Sequence, residues 1–353
     1  MWQAAGVPHR HPEEVRPGRA SDLRPAAVYD LAPDLWLVTA YFNPLGYVSR
    51  RRNYDLFREP IVRGGLNLVT IECAFGDDDF TLPPSPDVLP VRANDLLWQK
   101  ERMLNLAVAC LPPECAKVVW LDADLLFENP AWAVETSRAL ERHRVVQPFE
   151  VCIRMPARTM DYSGGGVVTR SFGALCGDAT PRRTLPAGGS LGGAMDEHGY
   201  TGFAWAARRE VLARGLYDAC IIGGGDHAIA HAMRGDLTSP CIDVTFPTGT
   251  AHRRHFLNWA ENFHPAVAGD IGCVAGTVLH LWHGARIHRR YTVRHKELAR
   301  FDFDPATDLR IGEGGCWQWA SAKPELHEWA AAYFAGRMED NEMQGASPAA
   351  AAP

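Results

Sequence analysis

Residues 117–127 read KVVWLDADLLF, and this stretch decides the predicted fold. Its first five residues are mostly apolar, which predicts a buried strand. The strand ends in two carboxylates, Asp122 and Asp124, spaced i, i+2. In an open α/β sheet, side chains at the carboxyl end of a strand face the crevice where ligands bind. Two aspartates there suit a hard divalent cation, Mn²⁺ or Mg²⁺, carried by a diphosphate; alternatively, one caps the next helix and the other is solvated.

The segments around this stretch alternate between strand and helix patterns. Strands are predicted at 35–41, 67–73 and 117–121, and helices at 49–63, from 94 or 95 to 110, and at 130–142. Such alternation implies an α/β, Rossmann-like fold with a mainly parallel central sheet and helices on both faces. The glycine-rich region 155–200 has little apolar periodicity, which predicts long loops over the sheet.

One domain is predicted, with a less ordered segment at each end. Residues 1–30 are rich in Pro, His, Arg and Glu and lack the apolar core of a signal peptide, so we expect a loosely ordered arm. The segment 336–353 ends in small residues and is expected to be a disordered tail. The domain therefore spans 31–335.

The composition limits the classes of function. The chain has 353 residues and a formal net charge of −6, which gives no general attraction to nucleic acid or anionic membranes. No apolar run approaches the roughly 18 residues needed to span a bilayer. The nine cysteines are dispersed without a C-x-x-C pair. This pattern predicts reduced thiols, a cytoplasmic protein and no structural zinc.

Three later segments accompany the aspartate pair. Residues 201–210 read TGFAWAARRE, a short strand that runs into a helix. Residues 221–227 read IIGGGDH, a glycine-rich turn that places Asp226 at the start of a helix. Residues 278–284 read VLHLWHG, a strand with two imidazoles, His280 and His283, and an arginine-rich stretch follows at 286–294.

In this order, the segments resemble the GT-A glycosyltransferases, particularly the family-2-like nucleotide-sugar transferases. The resemblance implies a GT-A fold, with a nucleotide-binding half at 31–128 and an acceptor-binding half at 129–335. It also implies a hexosyltransferase-like enzyme that moves a sugar from a nucleotide-sugar, UDP-sugar favoured, to a hydroxyl of a carbohydrate or other acceptor. The Q-x-x-R-W signature of processive synthases is absent, which argues against a polysaccharide synthase.

The resemblance assigns roles to the central residues. Asp122 and Asp124 match the metal-binding D-x-D, and His280 or His283 matches a late metal-binding histidine. Side chains three apart on a strand point to opposite faces, so only one of the two histidines is expected to face the site, with His283 preferred. Asp226 matches the general base, which would favour inversion of the transferred sugar; as an alternative, it only caps the following helix.

The remaining site residues are assigned by position and by residue type, with Asn43 and Glu72 at the ends of the first two predicted strands, where the family binds the nucleoside. The nucleotide-binding residues are Asn43, Glu72, Lys100, Asp122, Arg290 and Arg294, and the acceptor-binding residues are Trp205, Gly224 and Gly225. The basic cluster from Arg286 to Arg294, which includes these two arginines, would contact the pyrophosphate, although a solvated helix face explains it equally well. Trp205 would stack on an acceptor ring, although the pattern favours an aromatic residue of the core.

Other functions remain open at this stage. A nucleotidyltransferase acting on sugar phosphates should carry a glycine-rich phosphate loop after the first strand, and residues 41–46 read YFNPLG instead. A catalytically inactive carbohydrate-binding protein would keep the fold without turnover. Arg50, Arg51 and Arg52 form a small basic patch, so a glycosyltransferase acting on modified nucleic-acid bases is a minor alternative. The donor, the acceptor and the stereochemistry are not decided by the sequence.

Overall fold

A computed structural model describes residues 23–157, 159, 167–177, 198–291 and 293–340. Most of the predicted N-terminal arm, the end of the predicted tail and much of the glycine-rich region 155–200 lie outside these ranges. Among the described residues, no helix is both long and apolar enough to cross a membrane.

The described residues form strands, α-helices and short 3₁₀ helices. The strands are β1 (Leu35–Phe42), β2 (Asn67–Phe75), β3 (Val88–Ala93), β4 (Lys117–Leu121), β5 (Leu125–Phe127), β6 (Val145–Gln147), β7 (Val151–Arg154), β8 (Val167–Arg170), β9 (Ala204–Arg208), β10 (Ile271–Cys273), β11 (Thr277–His280), β12 (Leu309–Ile311) and β13 (Trp317–Trp319). The α-helices are α1 (Val48–Arg63), α2 (Lys100–Cys110), α3 (Trp132–Ala139), α4 (Phe172–Gly177), α5 (Gly225–Arg234), α6 (Pro240–Thr245), α7 (Ala251–Val267), α8 (Val293–Leu298), α9 (Pro305–Asp308) and α10 (Pro324–Ala335). Short 3₁₀ helices cover Arg209–Arg214, Arg286–Arg289 and Ala299–Phe301.

The central sheet has seven strands in the order β10-β6-β9-β4-β1-β2-β3. Strand β9 runs antiparallel to its neighbours β4 and β6, and the other neighbouring strands are parallel. A second sheet has the order β5-β11-β7-β8, and β12 pairs with β13. The predicted α/β fold with a mainly parallel sheet is confirmed.

Helices cover both faces of the central sheet, as β4 illustrates. Val118 and Trp120 join a buried cluster with residues of α2, α5 and α7, whereas Val119 and Leu121 join a cluster with residues of α1 and α3. This division follows from the two-residue period of a strand, because successive side chains point to opposite faces. A strand that is buried on both faces reads as a continuous apolar run.

Helix α2 begins later than the apolar pattern predicts. The segment 94–99 makes other contacts: the Oδ2 of Asp95 accepts from the Trp319 amide at 2.8 Å, and Gln99 exchanges two hydrogen bonds with the Trp317 backbone. These contacts anchor the strand pair β12–β13 to the main domain. They also hold Lys100 at the start of the helix, below the end of β4.

The described part of the chain packs on the domain beyond its predicted boundaries at both ends. Leu23 and Tyr29 are buried on the core, inside the predicted arm. At the other end, Asp340 accepts hydrogen bonds from the Val48 and Ser49 amides at 2.7 and 2.9 Å. A carboxylate from the predicted tail therefore satisfies the first N–H groups of α1. Residues 336–340 belong to the domain, which corrects the boundary at 335.

Candidate active site

Asp122 and Asp124, the carboxylates that follow β4, contact different partners. The pairing of β11 with β5 explains the partners of Asp124. Strand β11 pairs antiparallel with β5, and His280 lies opposite Leu125. The Leu281 amide also donates to the Asp124 carbonyl at 2.9 Å. Asp124 directly precedes Leu125, so this register places the end of β11 beside the Asp124 side chain.

Asp124, His280 and His283 form the first cluster of the site. The Nε2 atoms of His280 and His283 lie 3.6 and 3.2 Å from the Asp124 carboxylate oxygens, and 3.1 Å from each other. Both histidines therefore face the site, unlike the expectation that only one does. Strand β11 ends at His280, so the alternation of strand side chains does not extend to His283.

This cluster fits a divalent cation. The three side chains are buried, and Asp124 Oδ1 has no hydrogen-bond partner among the described atoms. Burial lowers the pKa of His280 and of His283 well below the ordinary value, so both rings are neutral, as metal ligands must be. Burial, with Asp122 nearby, raises the pKa of Asp124 to about 7.

Charged side chains from distant segments surround this cluster. Glu339 contacts the guanidinium groups of Arg50 and Arg337, and its Oε2 lies 3.6 Å from His283 Nδ1. A carboxylate on the second ring nitrogen orients a metal-binding imidazole. Gly284 permits this approach, since a Cβ there would lie 2.8 Å from the Glu339 Cα.

Lys100 organises the second cluster, which contains Asp122. Its Nζ lies 3.0 Å from Asp122 Oδ1 and 2.7 Å from both carboxylate oxygens of Asp226. Burial and Asp122 raise the pKa of Asp226 while Lys100 opposes the shift. The Asp226 side chain remains 28 % exposed, so this fixed carboxylate is accessible from solvent. Asp122 lies outside the cluster of Asp124 and the two histidines.

Glu101 lies beneath the turn that carries Asp226. A Cβ at Gly225 would lie 2.5 Å from the Glu101 carboxyl carbon, so the glycine is needed for this close packing. Gly224 has φ +102°, a backbone conformation that glycine adopts without steric cost. These contacts give Gly224 and Gly225 a structural role beside the predicted acceptor role.

Glu101 should make stability depend on pH. Burial raises its pKa to about 8 in the folded protein, from an ordinary 4.5. The native state alone holds the proton between these values, so stability falls as pH rises, by up to about 1.4 kcal/mol per pH unit. Glu101→Gln should remove this loss of stability. Urea unfolding at about pH 5.5 and about pH 7.5 measures the free energy of unfolding, and Glu114→Gln, a change at an exposed glutamate, is the control. Parallel losses in Glu101→Gln and wild type would contradict the prediction.

Three further predicted residues occupy different environments. Arg294 is buried beside the glycine-rich turn before α5, with its guanidinium 3.6 Å from a Cβ placed at Gly224. Arg290 instead pairs with Glu297 on α8. Trp205 is 1 % exposed, and its indole N–H donates to the Thr201 carbonyl at 2.8 Å. Trp205 is therefore part of the core, which corrects its prediction as an acceptor-stacking residue.

Asn43 and Glu72 line one small cavity at the ends of β1 and β2, together with Asp78, Asp79 and residues of the neighbouring loop. Glu72 Oε1 accepts from the Thr81 amide at 2.6 Å and from the Leu82 amide at 3.1 Å. Glu72 thus holds the loop at residues 81–82, of which Thr81 lines the cavity. Asn43 closes its own turn with the Tyr47 backbone.

The sequence did not place several residues beside the cluster of Asp124, His280 and His283. Arg50, Arg289 and Glu339 surround the metal-type cluster, yet they come from α1, from the 3₁₀ helix at 286–289 and from the C-terminal segment. The Arg289 side chain donates to the His283 carbonyl at 3.0 Å. No local motif signals such contacts; only the position of Arg289 in the arginine-rich stretch indicated a role.

Comparisons with known proteins were made for sequence and structure. No protein family and no curated protein sequence matches the chain. Similar solved structures include glucosyl-3-phosphoglycerate synthase from Mycobacterium tuberculosis in complex with Mg²⁺ and uridine diphosphate, at 13% identity and a TM-score of 0.35, covering 81% of this chain and 86% of that one. Mannosyl-3-phosphoglycerate synthase from Rubrobacter xylanophilus has 11% identity and a TM-score of 0.35, covering 90% and 78%.

A third similar structure is 4-diphosphocytidyl-2C-methyl-D-erythritol synthase from Anaerococcus prevotii, at 10% identity and a TM-score of 0.30, covering 85% and 96%. These proteins include sugar transferases and a nucleotidyltransferase, the two activities that the sequence left open. At such TM-scores, the likeness does not choose between the two. The choice depends on the residues of this chain.

Proposed function

We propose that this chain is a metal-dependent glycosyltransferase that moves a sugar from a nucleotide-sugar, with UDP-sugar favoured, to an acceptor hydroxyl. The proposal rests on one observation: Asp122 and Asp124, the two carboxylates that follow β4, contact different groups of residues. Asp124 faces two neutral imidazoles, whereas Asp122 shares Lys100 with Asp226. A centre for a cation and a positioned carboxylate therefore lie next to each other at one edge of the sheet.

The first cluster would hold the cation. Asp124, His280 and His283 would bind Mn²⁺ or Mg²⁺, which as a Lewis acid would offset the charge that grows on the leaving diphosphate. Arg289 would contact the pyrophosphate beside these ligands through charge-assisted hydrogen bonds. Glu339 would hold His283 in the required orientation. The cavity at Asn43 and Glu72 would receive the nucleoside.

The second cluster would act on the acceptor. Asp226 would accept the proton of the attacking hydroxyl, and its raised pKa suits this role because a stronger base removes a proton more readily. Lys100 contacts both oxygens of the carboxylate, so it would position Asp226 and keep it ionised before reaction. A base on the attacking side favours inversion at the transferred sugar carbon.

A thermal-shift screen tests this proposal. Nucleotide-sugars and the corresponding diphosphates are added with Mn²⁺, with Mg²⁺, or with chelator. A ligand that binds the native state raises the melting temperature by mass action. We expect uridine nucleotides to stabilise the protein only when the cation is present. A screen without any cation-dependent shift would count against the proposal, and pyrophosphate release from a nucleoside triphosphate and a sugar phosphate would favour a nucleotidyltransferase instead.

Both histidines of the first cluster should contribute to cation binding. His280→Ala and His283→Ala should each weaken Mn²⁺ affinity by roughly 10- to 100-fold, because changes at metal-site partners have effects of this size. Equilibrium dialysis with Mn²⁺ measures the affinity. His143→Ala is the matched control, since this imidazole contacts the carboxylate of Asp270 at 2.8 Å elsewhere in the chain. Unchanged affinity in either cluster variant would remove that histidine from the metal site.

A further inference from the structure

A second group of metal-type side chains lies beneath helix α5. It consists of His198, His227, His231 and Cys241, all buried, with one ligand atom of each within 4.8 Å of the others. His227 and His231 are four residues apart on α5, so they lie on the same face of the helix. Cys241 comes from α6, and His198 precedes β9. Three separate segments of the chain therefore meet at this cluster.

The spacing within the cluster is close to that of a tetrahedral metal site. Zinc bonds of about 2.0–2.1 Å to nitrogen and about 2.3 Å to sulfur place ligand atoms roughly 3.3–3.8 Å apart. The Cys241 Sγ lies 3.4 Å from His231 Nε2. The His198 ring centroid lies 5.1 Å from that of His227 and 4.9 Å from that of His231. All four ligand atoms lie within 4.8 Å of one another, so shifts of about 1 Å would bring them to the spacing of a bound zinc ion.

The unsatisfied polar atoms of the cluster indicate a missing partner. His227 is 5 % exposed, and neither of its ring nitrogens has a hydrogen-bond partner among the described atoms. The Nε2 of His198 also has no hydrogen-bond partner among the described atoms, while its Nδ1 lies 3.0 Å from the Gly199 carbonyl. A buried polar group without a partner costs about 1–3 kcal/mol. A cation bound to these nitrogens would remove that cost.

Neighbouring residues orient the ligands as they do in zinc sites. The Nδ1 of His231 lies 3.2 Å from the Asp236 carbonyl and 3.3 Å from its carboxylate, which directs Nε2 towards Cys241. Metal binding would release the proton of the Cys241 thiol, because cysteine binds a metal as the thiolate.

We infer that His198, His227, His231 and Cys241 bind one zinc ion in a closed structural site. Three nitrogens and one sulfur suit zinc, whereas Mg²⁺ and Mn²⁺ prefer oxygen ligands. A catalytic role for the thiolate is disfavoured because Cys241 is 2 % exposed. The four protein ligands leave no open position for a substrate.

The ion would stabilise the part of the fold that carries the candidate base. His227 directly follows Asp226, so a metal on His227 fixes the first turn of α5. The same ion would tie this turn to α6 and to the segment before β9. Loss of zinc should therefore loosen the site at Asp226 without touching the cluster of Asp124, His280 and His283.

Metal analysis of the purified wild-type protein tests the inference. The full chain is expressed with zinc, dialysed against a weak chelator that removes loosely held ions, and analysed for bound metal. We expect one zinc per chain, and an X-ray absorption spectrum with one sulfur and three nitrogen ligands. Absence of stoichiometric zinc overturns the inference. A spectrum with two sulfurs does so too, because it points to Cys73 and Cys316, whose side chains lie within hydrogen-bonding reach.

Cobalt substitution assigns the sulfur ligand. The Co²⁺ form of the wild type should show a thiolate-to-metal charge-transfer band and the strong visible bands of a tetrahedral site. Cys241→Ala should lose the charge-transfer band, whereas Cys152→Ala, a matched change at another buried cysteine, should keep it. A band that persists in Cys241→Ala overturns the assignment. If Cys241→Ala does not fold, the ligand count of the wild type decides. These readouts do not depend on glycosyltransferase activity.

Discussion

Asp226→Asn should lower turnover by about 10²- to 10⁴-fold, the usual contribution of a positioned general base. The amide keeps the size of the carboxylate but cannot accept the proton of the acceptor hydroxyl. Donor affinity should change little, because the donor contacts are assigned to the clusters at Asp124 and at Asn43. The effect on turnover should therefore be separate from any effect on binding.

The measurement compares turnover with donor affinity in the same Asp226→Asn protein. Asp218→Asn is the matched control, since Asp218 is a half-buried carboxylate with hydrogen bonds to Asn105 and Arg102 away from the site. Near-normal turnover in Asp226→Asn would reduce Asp226 to a residue at a helix start. No positioned base would then favour inversion at the transferred sugar carbon.

Asp124→Ala should abolish cation-dependent donor binding while the fold is kept. Asp124 is the carboxylate of its cluster, so the variant would leave only two neutral imidazoles for a divalent cation. Hard cations bind poorly without oxygen ligands. Electron paramagnetic resonance of Mn²⁺ measures free and bound ion directly, and circular dichroism reports the fold.

Asp122→Ala provides the contrast. Its carboxylate lies 3.0 Å from Lys100 Nζ, so this variant should disturb Lys100 and Asp226 and reduce turnover more than Mn²⁺ binding. Equal loss of Mn²⁺ binding in both variants would place the ion between the two aspartates, as the D-x-D motif predicts. Retained Mn²⁺ binding in Asp124→Ala would contradict the assignment of Asp124.

The central part of the fold was predictable from local patterns. The run of apolar residues at 117–121 indicates a strand buried on both faces, and the acids that follow it must lie at the edge of the sheet. Asp226 was found because a glycine-rich turn before a helix is visible in the sequence. Its contact with Lys100 was not predicted, since the two residues are far apart in the chain.

Other features depend on tertiary contacts that no local pattern contains. His283 faces Asp124 because β11 ends before it, and the end of a strand is hard to read from a short apolar run. Glu339 reaches the site from a segment that composition assigned to the tail. The sequence predicted no zinc because it has no C-x-x-C pair, yet His198 and Cys241 join the His227–His231 pair of α5 from separate segments.

Calorimetric titration of UDP into the wild-type protein, with Mn²⁺ or with chelator, tests the central claim most directly. The account predicts binding in the presence of Mn²⁺, loss of most of that affinity with chelator, and loss in Asp124→Ala. Binding that is equal with and without the cation, or equal in wild type and Asp124→Ala, would contradict a metal-dependent nucleotide site at the end of β4.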